Sequence, residues 1–291
     1  EALTHAKIAV IGGSGMYEIE GAGVVDRVNI TTPFGMHSDE ITIVNIEGKN
    51  VAFLSRHGRG HTLLPSEVPY RANIYALKYL GVRFIISTSV VGSLKQEIAP
   101  CDFVIPDQII DRTKTRTQSF FGEGICGHLY FTEPFCSNLN GTLYSVIKNE
   151  GHRVHTHETY VAIEGPMFST RAESKLYHDW GGGVVGQSVI PEAKLAREAE
   201  ISYSVVAMST DFDAWLQEEG PSNDETVLEN LKLNTRDFKR YLPKVISRID
   251  ENRENPSHHA AATSILTDPD YLPLETRRKL DLFYRKYWSR L

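Results

Sequence analysis

Short apolar runs alternate with helically spaced apolar residues along most of this chain. The runs typical of buried strands are residues 7–11, 84–87, 103–105, 160–164, 184–185 and 203–209. Two further runs, 41–46 and 51–55, flank the sequence EGKN at 47–50 and predict a β-hairpin. Helical spacing predicts helices at residues 72–80, 171–180, 191–200 and 226–253. Alternating strands and helices indicate the α/β class.

The same pattern bears on domain organisation. No internal repeat divides the chain, and we expect a single domain over residues 1–291. Residues 254–263 (ENPSHHAAAT) form a polar break, and residues 265–291 are charged and partly amphipathic. We interpret residues 254–291 as a C-terminal extension of this domain rather than as a second domain.

Composition narrows the class of protein. A 291-residue chain with 41% hydrophobic and 23% charged residues is typical of a soluble globular enzyme. Its formal net charge of -6 argues against a nucleic-acid partner, because such proteins usually present a basic surface. No apolar run approaches the ~20 residues needed to span a bilayer, so no membrane partner is expected.

Cysteine usage and the N-terminal sequence suggest a location. Cys101, Cys126 and Cys136 are few, odd in number and without metal-ligand spacing, which favours free thiols in a reducing compartment. The sequence EALTHAKIAVIGGSG lacks the charged and apolar regions of a signal peptide. We expect the cytoplasm, with the nucleus as an alternative.

Candidate chemistry lies where the predicted strands end, which is where open α/β sheets bind ligands. Ser14, within the GGSG sequence after the first strand, can donate to an oxyanion, although a plain tight turn is an alternative. The spacing is not G-x-G-x-x-G, so no dinucleotide fold is predicted. Thr88, Ser89, Gln187 and Ser188 also follow predicted strands, and neutral hydroxyl donors suit a phosphate that is transferred.

The sequence SRHGRGH at residues 55–61 carries a stronger signal. The planar guanidinium of Arg56 suits phosphate oxygens, and His57 adds a donor whose charge changes near neutral pH. A solvated basic loop is one alternative. A metal site at His57 and His61 is another, but no further ligand is suggested nearby, and we predict no metal.

The last predicted strand ends in TDFD at residues 210–213. Asp211 and Asp213, two residues apart in an extended segment, can lie on the same side. In a dry site one of them would be protonated and could act as a general acid. Spacing alone favours a different role, as the N-cap of the following helix.

Taken together, the ordered motifs resemble the trimeric purine nucleoside phosphorylase family, and within it the 5′-methylthioadenosine phosphorylase branch. The matching motifs are IGGSG at 11–15, TPFG at 32–35, SRHGRGHTLLPSEVPYRANI at 55–74, GSL at 92–94, DQIIDRT at 107–113, EPFC at 133–136, IEGPMFSTRAES at 163–174, PE at 191–192 and STDFDAW at 209–215. The resemblance implies a mixed central β-sheet flanked by helices and a homotrimer with sites at subunit interfaces.

The resemblance also implies a reaction in which phosphate attacks the ribose C1′ and expels the purine. Such an enzyme is a pentosyltransferase of purine and methionine salvage, with inorganic phosphate as co-substrate and no cofactor. By position, the family's phosphate contacts match Ser14, Arg56, His57, Ser89 and Ser188. The substrate contacts match Val90, His128, Phe168, Gln187, Thr210, Asp213 and Val227, with His128 reaching a neighbour's site.

Asp211 matches the catalytic position that delivers a proton to purine N7. As acceptors, Asp211 and Asp213 favour a 6-amino purine, so we expect an adenine-type enzyme. The family closes its 5′ pocket with C-terminal residues of a neighbour, and we expect residues 254–291 to pack on a neighbouring subunit. Asp224 lies near a usually apolar position of that pocket and suggests the alternative of a broad-specificity enzyme for 5′-hydroxyl nucleosides.

Four departures from the family pattern leave other functions open. They are Val90, Met167, Gln187 and Val189. These substitutions suggest a weakened paralogue that binds nucleosides, although Arg56, His57 and Asp211 are all retained. A nucleoside hydrolase on a related fold is a further alternative, and dependence on phosphate would separate the two reactions.

Overall fold

A mixed β-sheet forms the centre of the molecule. The computed structural model describes residues 2–216 and 223–291. In these ranges the sheet contains β1 Ile8–Gly12, β2 Gly23–Val28, β3 Ile41–Ile46, β4 Lys49–Ser55, β5 Phe84–Ser93, β6 Phe103–Ile105, β7 Gln108–Arg112, β8 Val154–Thr156, β9 Thr159–Ile163, β10 Val184–Gly186 and β11 Ser202–Phe212. The helices are α1 Tyr70–Tyr79, α2 Ser137–Asn149, α3 Arg171–Asp179, α4 Glu192–Glu198, α5 Asp224–Arg248 and α6 Leu274–Tyr284. None of these helices is both long and apolar enough to traverse a lipid bilayer.

The sheet branches at β5. Its main path is β2-β3-β4-β1-β5-β10-β9-β7, while β11 pairs with β5 and β6, and β6 pairs with β8. β5 runs parallel to β1 and β11 and antiparallel to β10. The predicted single α/β domain with a mixed sheet is therefore confirmed.

Both faces of the sheet are covered. Ile8 and Val10 of β1 belong to an apolar cluster shared with α2 and α5. Ala9 and Ile11 point the other way, into a cluster shared with α1, α4 and α6. Strands buried on both sides have continuous apolar sequences, which explains why the apolar runs predicted these strands well.

The predicted hairpin is present with a tighter turn than EGKN suggested. β3 ends at Ile46 and β4 begins at Lys49, which leaves Glu47 and Gly48 as the turn. Both have positive φ, 53° and 77°. Two such residues match the twist of the flanking strands, and the glycine adopts this conformation without strain.

Several elements were not predicted. β2, β7 and β8 carry partly exposed side chains, so none of the three shows a clear apolar pattern. α2 has buried apolar residues at helical spacing, Leu139, Leu143, Val146 and Ile147, among Ser and Asn residues that lower its helix propensity. β5 and β11 also continue past their predicted ends, through polar residues, to Ser93 and Phe212. Backbone pairing between these two strands holds the polar ends in the sheet.

The C-terminal segment packs against its own chain. Leu280, Phe283 and Tyr284 of α6 are buried in the main apolar cluster. The Tyr284 hydroxyl donates to the carbonyl of Glu198 at 2.7 Å, at the end of α4. Residues 254–291 thus complete the core of this domain, and additional packing on a neighbouring subunit stays a prediction.

Candidate active site

Three strands meet at the carboxyl end of β1. β4 ends beside it and β5 continues past it, with Gly12 in register with Ser55 and Ile11 with Ser87. The Arg56 amide donates to the Gly12 carbonyl at 3.0 Å. The Ser14 and Ser55 hydroxyls are 3.2 Å apart. The turn of Ser14 is thereby tied to the start of the SRHGRGH sequence.

Gly12 permits a close approach between β1 and β5. A Cβ at this position would lie 2.8 Å from the Thr88 hydroxyl oxygen, closer than normal packing allows. The glycine therefore lets the end of β1, which leads into the Ser14 turn, lie close to Thr88 in the middle of β5.

Arg56 is buried rather than solvated, so the interpretation of a solvated basic loop is wrong for this residue. It is 3% exposed, and its guanidinium forms a two-point ion pair with Glu192 of α4 at 2.8 and 2.9 Å. It also donates to the Thr88 carbonyl and the Ser87 hydroxyl. Burial opposes the charge, but Glu192 outweighs it and raises the pKa of Arg56 above its ordinary value. Arg59, 79% exposed, is the solvated member of this sequence.

The Arg56 ion pair bears on what this residue can bind. The bonds to Glu192, Thr88 and Ser87 use four of the five guanidinium N–H groups, counted over the described residues. One Nη1–H is left for a ligand. Arg56 therefore supplies a fixed, permanent positive charge behind the strand ends and at most one direct hydrogen bond.

His57 is half-buried, and its ring is stacked on His61 with centroids 4.4 Å apart. Its Nδ1 lies 2.9 Å from the Leu63 carbonyl, which can only accept, so Nδ1 carries the proton. Burial lowers the pKa of His57 below its ordinary value. The neutral ring thus offers an acceptor at Nε2, and only the protonated ring offers a donor there. In the described part of the chain, no group of three or more His, Cys, Asp or Glu could hold a metal ion.

Two predicted hydroxyls form one buried cluster. Ser89 Oγ lies 2.8 Å from Ser188 Oγ, which joins the middle of β5 to the segment after β10. It also lies 2.8 Å from the hydroxyl of Tyr160 on β9. Sequence reasoning missed Tyr160, because a tyrosine inside an apolar strand is indistinguishable from a core residue.

The TDFD sequence ends β11, where the strand bulges between Ser209 and Asp211. The Thr210 hydroxyl donates to Asp211 Oδ1 at 3.0 Å, and Asn230 of α5 donates to the Thr210 carbonyl at 2.9 Å. The next helix in the described residues, α5, has Asn223 as its N-cap. The alternative that an aspartate of TDFD caps this helix is therefore wrong.

Asp213 is held by a residue of α3. The Ser174 hydroxyl donates to Asp213 Oδ2 at 2.5 Å and accepts from the Trp215 amide. Burial raises the pKa of Asp213 above its ordinary value, and the charge of Asp211 raises it further, against the Ser174 hydrogen bond. The structure thus places the two carboxylates of the TDFD sequence close enough to affect one another.

β5 and β11 set the distance between the hydroxyl cluster and the carboxylates. Ser89 is in register with Ala207, and Gly92 with Asp211. Three residues of strand separate these levels, or about 10 Å at roughly 3.3 Å per residue. The hydroxyl cluster and the Asp211 carboxylate are thus separated by about this distance along the two strands.

Three of the other predicted substrate residues, Val90, Phe168 and Gln187, lie on or next to β5, β9 and β10 and are at least partly exposed. Val90 is 45% exposed between these two levels, and Phe168 is 87% exposed in the loop after β9. Gln187 is half-buried, and its Nε2 donates to the Met167 carbonyl of that loop at 3.4 Å. An uncovered aromatic ring beside polar strand ends is suited to stacking on a flat ligand.

His128, Val227 and Asp224 lie on other elements. The exposed His128 donates its amide to the Ser264 carbonyl in the C-terminal segment. Val227 is half-buried in the first turn of α5. Asp224 is exposed as the first residue of α5, where a carboxylate interacts favourably with the helix N-terminus. Their predicted contacts with a neighbour's site or a 5′ group stay predictions.

The assembled strand ends fit a known family. Residues 7–247 match the family model of the phosphorylase superfamily. The chain belongs to the phosphorylase superfamily. One relative in the superfamily, the S-methyl-5′-thioadenosine phosphorylase of Geobacter sulfurreducens, is 47% identical over 281 residues, which cover 96% of this chain and 98% of the relative.

Solved structures of phosphorylases agree with this assignment. A methylthioadenosine phosphorylase sourced from an antarctic soil metagenomic library superimposes with a TM-score of 0.91 at 41% identity, covering 97% of this chain and 99% of that chain. A variant of the adenosine/methylthioadenosine phosphorylase of Schistosoma mansoni, in complex with adenine, gives a TM-score of 0.79 at 34% identity, covering 83% and 91%.

The structure adds supporting residues of this phosphorylase that sequence reasoning did not identify. They are Arg116, Tyr160, Ser174, Glu192 and Asn230. Glu192 and Ser174 gave a signal, since they lie in the quoted motifs PE at 191–192 and IEGPMFSTRAES at 163–174. The others depend on contacts between elements far apart in the chain.

Proposed function

We propose that this protein catalyses the phosphorolysis of 5′-methylthioadenosine. A phosphate oxygen bonds to the ribose C1′ as the C1′–N9 bond breaks. The electron pair of that bond leaves with adenine, which takes up a proton at N7, and 5-methylthioribose 1-phosphate is the other product. The observation that carries the proposal is the placement of a hydroxyl cluster and a carboxylate pair about 10 Å apart on β5 and β11. The names of the relatives support the substrate.

Phosphate would bind where the segments after β1, β4 and β10 meet the middle of β5. Ser14, Ser89 and Ser188 supply neutral hydroxyls, and Arg56 supplies a permanent charge that Glu192 keeps in place. Preorganised donors cost no rearrangement when the reaction occurs, so electrostatic stabilisation and positioning would provide most of the rate. Phosphate then serves as co-substrate, and no cofactor is required.

The base would lie at the end of β11. In this proposal Asp211 delivers the proton to N7, while Asp213 stands beside it with a raised pKa. A carboxylate beside the 6-position accepts from an amino group, whereas an asparagine could also donate to a keto group. We infer an adenine-type preference, with Phe168, Val90 and Gln187 around the sugar and base.

A second candidate is a broader enzyme that also cleaves 5′-hydroxyl nucleosides. Asp224 at the start of α5 favours it, because a charged carboxylate beside a thioether loses hydration without gaining a partner. One structural neighbour is named an adenosine/methylthioadenosine phosphorylase. Methylthioadenosine cleaved roughly a hundred times more efficiently than adenosine, or more, would rule this candidate out.

We propose a homotrimer in the cytoplasm, with the nucleus as an alternative, that serves purine and methionine salvage. Three cysteines without disulfide bonds are consistent with a reducing compartment. Met167, Phe168 and Tyr130 are each more than four-fifths exposed, which suggests a partner surface near the open side of the site. Light scattering coupled to size exclusion would report the trimer mass, and a monomer at micromolar concentration would contradict it.

The decisive experiment measures base release from a substrate panel with and without phosphate. We expect adenine from 5′-methylthioadenosine only when phosphate or arsenate is present. Base release without either anion would indicate a hydrolase instead. Nucleoside binding without base release under any condition would indicate the weakened paralogue.

The same panel tests the adenine preference through Asp211→Asn. We expect this variant to lose activity on methylthioadenosine and to gain relative activity on inosine, since asparagine can donate to a 6-keto group. Wild-type turnover of inosine faster than adenosine would contradict the proposed base specificity.

A further inference from the structure

Arg116 lies behind the proposed site and contacts two of its segments. Its side chain is fully buried. Nε donates to the Glu164 carboxylate at 2.9 Å, and Nη2 donates to the backbone carbonyls of Ile163 and Glu164 at 3.3 and 2.7 Å. Nη1 donates to the carbonyls of Gln187 and Ile190 at 2.6 and 2.7 Å. One guanidinium therefore joins the end of β9 to the connection between β10 and α4.

These bonds account for all five N–H groups of Arg116, so it has no donor left for a substrate. Its charge is balanced by Glu164. Burial opposes the ionised form of that carboxylate, but hydrogen bonds from Ser66, Thr115, Lys114 and Arg116 outweigh it and set the pKa of Glu164 at about 2. The pair is thus ionised throughout the neutral pH range.

The two segments that Arg116 joins carry different parts of the site. Glu164 leads into the loop with Phe168, on the nucleoside side. Gln187 precedes Ser188, whose hydroxyl belongs to the phosphate-side cluster with Ser89. The Gln187 side chain makes a second, weaker link by donating to the Met167 carbonyl at 3.4 Å. Displacement of either segment would change the distance between the phosphate and nucleoside sides.

We propose that Arg116 is a positioning residue that fixes the Ser188 hydroxyl relative to the Phe168 loop. The inference rests on the proposed phosphorolysis and goes beyond it by assigning this residue a role in aligning the two substrates. A planar guanidinium carries its five donors on three nitrogens, which point toward separate acceptors. A lysine at position 116 has all its donors on one nitrogen. It can therefore form the hydrogen bond to Glu164 or those to the carbonyls of Gln187 and Ile190, but not both sets.

The test compares Arg116→Lys and Arg116→Gln with the wild-type full chain. The KM for phosphate, the KM for the nucleoside and kcat are measured and normalised to the folded fraction from circular dichroism. We expect Arg116→Gln to raise the phosphate KM about tenfold and to lower kcat about a hundredfold, since misplacement by roughly 1 Å has effects of that size. Arg116→Lys should recover part of both losses. Unchanged KM values, with all lost activity explained by the folded fraction, would overturn the proposal.

Arg83→Gln is the matched control. Arg83 donates to the Glu251 carbonyl and pairs with Glu254, near the opposite end of β5. We expect the phosphate KM of Arg83→Gln to equal that of the wild type. The same rise in phosphate KM in Arg83→Gln would show that loss of any partly buried arginine has this effect, and would overturn the specific role of Arg116.

Hydrogen–deuterium exchange separates this inference from the proposed reaction. In Arg116→Gln we expect faster exchange in residues 163–168 and 187–191 together, with β1 and β4 unchanged. Wild-type exchange in both segments would refute the positioning role whatever the activity. A wild-type protein inactive in phosphorolysis would instead refute the proposed function and leave the coupling between the segments testable.

Discussion

At the residue scale, the site is built from side chains whose partners limit what they can do. Most of the N–H groups of Arg56 donate to Glu192, Ser87 and Thr88, so this residue acts mainly as a fixed charge. The Nδ1–H of His57 donates a hydrogen bond to the Leu63 carbonyl. By residue type alone, Arg56 and His57 are two similar phosphate donors. Their hydrogen-bond partners distinguish them: Arg56 keeps a constant charge, whereas His57 donates through Nε2 only when it is protonated.

His57→Gln tests the pH dependence of phosphate binding. Because burial lowers the pKa of His57, the Nε2 proton and its charge are present below that pKa and are lost as pH rises through it. Glutamine keeps a neutral donor at every pH. We expect the ratio of the phosphate KM of His57→Gln to that of wild type to increase from pH 8 to pH 5.5, by up to about tenfold, the difference between a charged and a neutral hydrogen bond.

The comparison of the two proteins at each pH removes the titration of phosphate itself, which affects both alike. His61→Gln serves as a control on the stacked neighbour. A KM ratio that does not change between pH 5.5 and 8 would show that His57 does not donate to phosphate through Nε2.

At the element scale, α5 holds the end of β11 in place. Asn230 donates to the carbonyl of Thr210, within the bulge that leads to Asp211, and Asn234 donates to the carbonyl of Ser209, just before it. The phosphate-side hydroxyls lie on β5 and after β10 instead. The two halves of the site are thus supported by different elements and can be disturbed separately.

Asn230→Ala should disturb the base side alone. Loss of its hydrogen bond to the Thr210 carbonyl is expected to lower the free energy of unfolding by about 1 kcal/mol. It should lower kcat about tenfold through Asp211, while the phosphate KM stays within about twofold. Urea denaturation and steady-state kinetics measure these quantities. Glu229→Ala, exposed on the same helix, should match the wild type in both; an Asn230→Ala kcat equal to wild type would disprove the link from α5 to Asp211.

At the scale of the whole molecule, the C-terminal segment and the segment after β7 both pack on α4. The Glu198 carboxylate accepts from the Ser119 hydroxyl and the Phe120 amide, and its backbone carbonyl accepts from Tyr284. Burial raises the pKa of Glu198 to about 7, against the hydrogen bonds from Phe120 and Ser119. This junction makes the stability of the whole domain sensitive to pH.

Glu198→Gln should reduce that sensitivity. The folded pKa is raised from an ordinary value of 4.5 to about 7, so the unfolded chain loses the proton first and stability falls as pH rises from about 4.5 to 7. The loss amounts to about 3 kcal/mol at 1.36 kcal/mol per pH unit. We expect Glu198→Gln to match wild type near pH 5 and to be more stable at pH 8. Urea titrations at equal protein concentration check this, and a variant less stable than wild type at pH 8 would contradict it.

The α/β class, the buried strands, the hairpin and the motifs at the strand ends could all be predicted from the amino-acid sequence. This was possible because burial on both faces imposes continuous apolar runs, and because motif order resembles a known family. The sequence could not predict β2, β7 or β8, whose stability comes from tertiary packing rather than from an apolar pattern of their own.

The hydrogen-bond and ion-pair partners of the candidate residues, in contrast, are apparent only in the three-dimensional structure. It excluded Asp211 and Asp213 as the cap of α5 and placed Arg56 in an ion pair with Glu192. It also revealed Arg116, whose acceptors lie about fifty to seventy residues away along the chain. Hydrogen bonds of this range form when folding brings distant backbone carbonyls together, and carbonyl groups carry no signature in the amino-acid sequence.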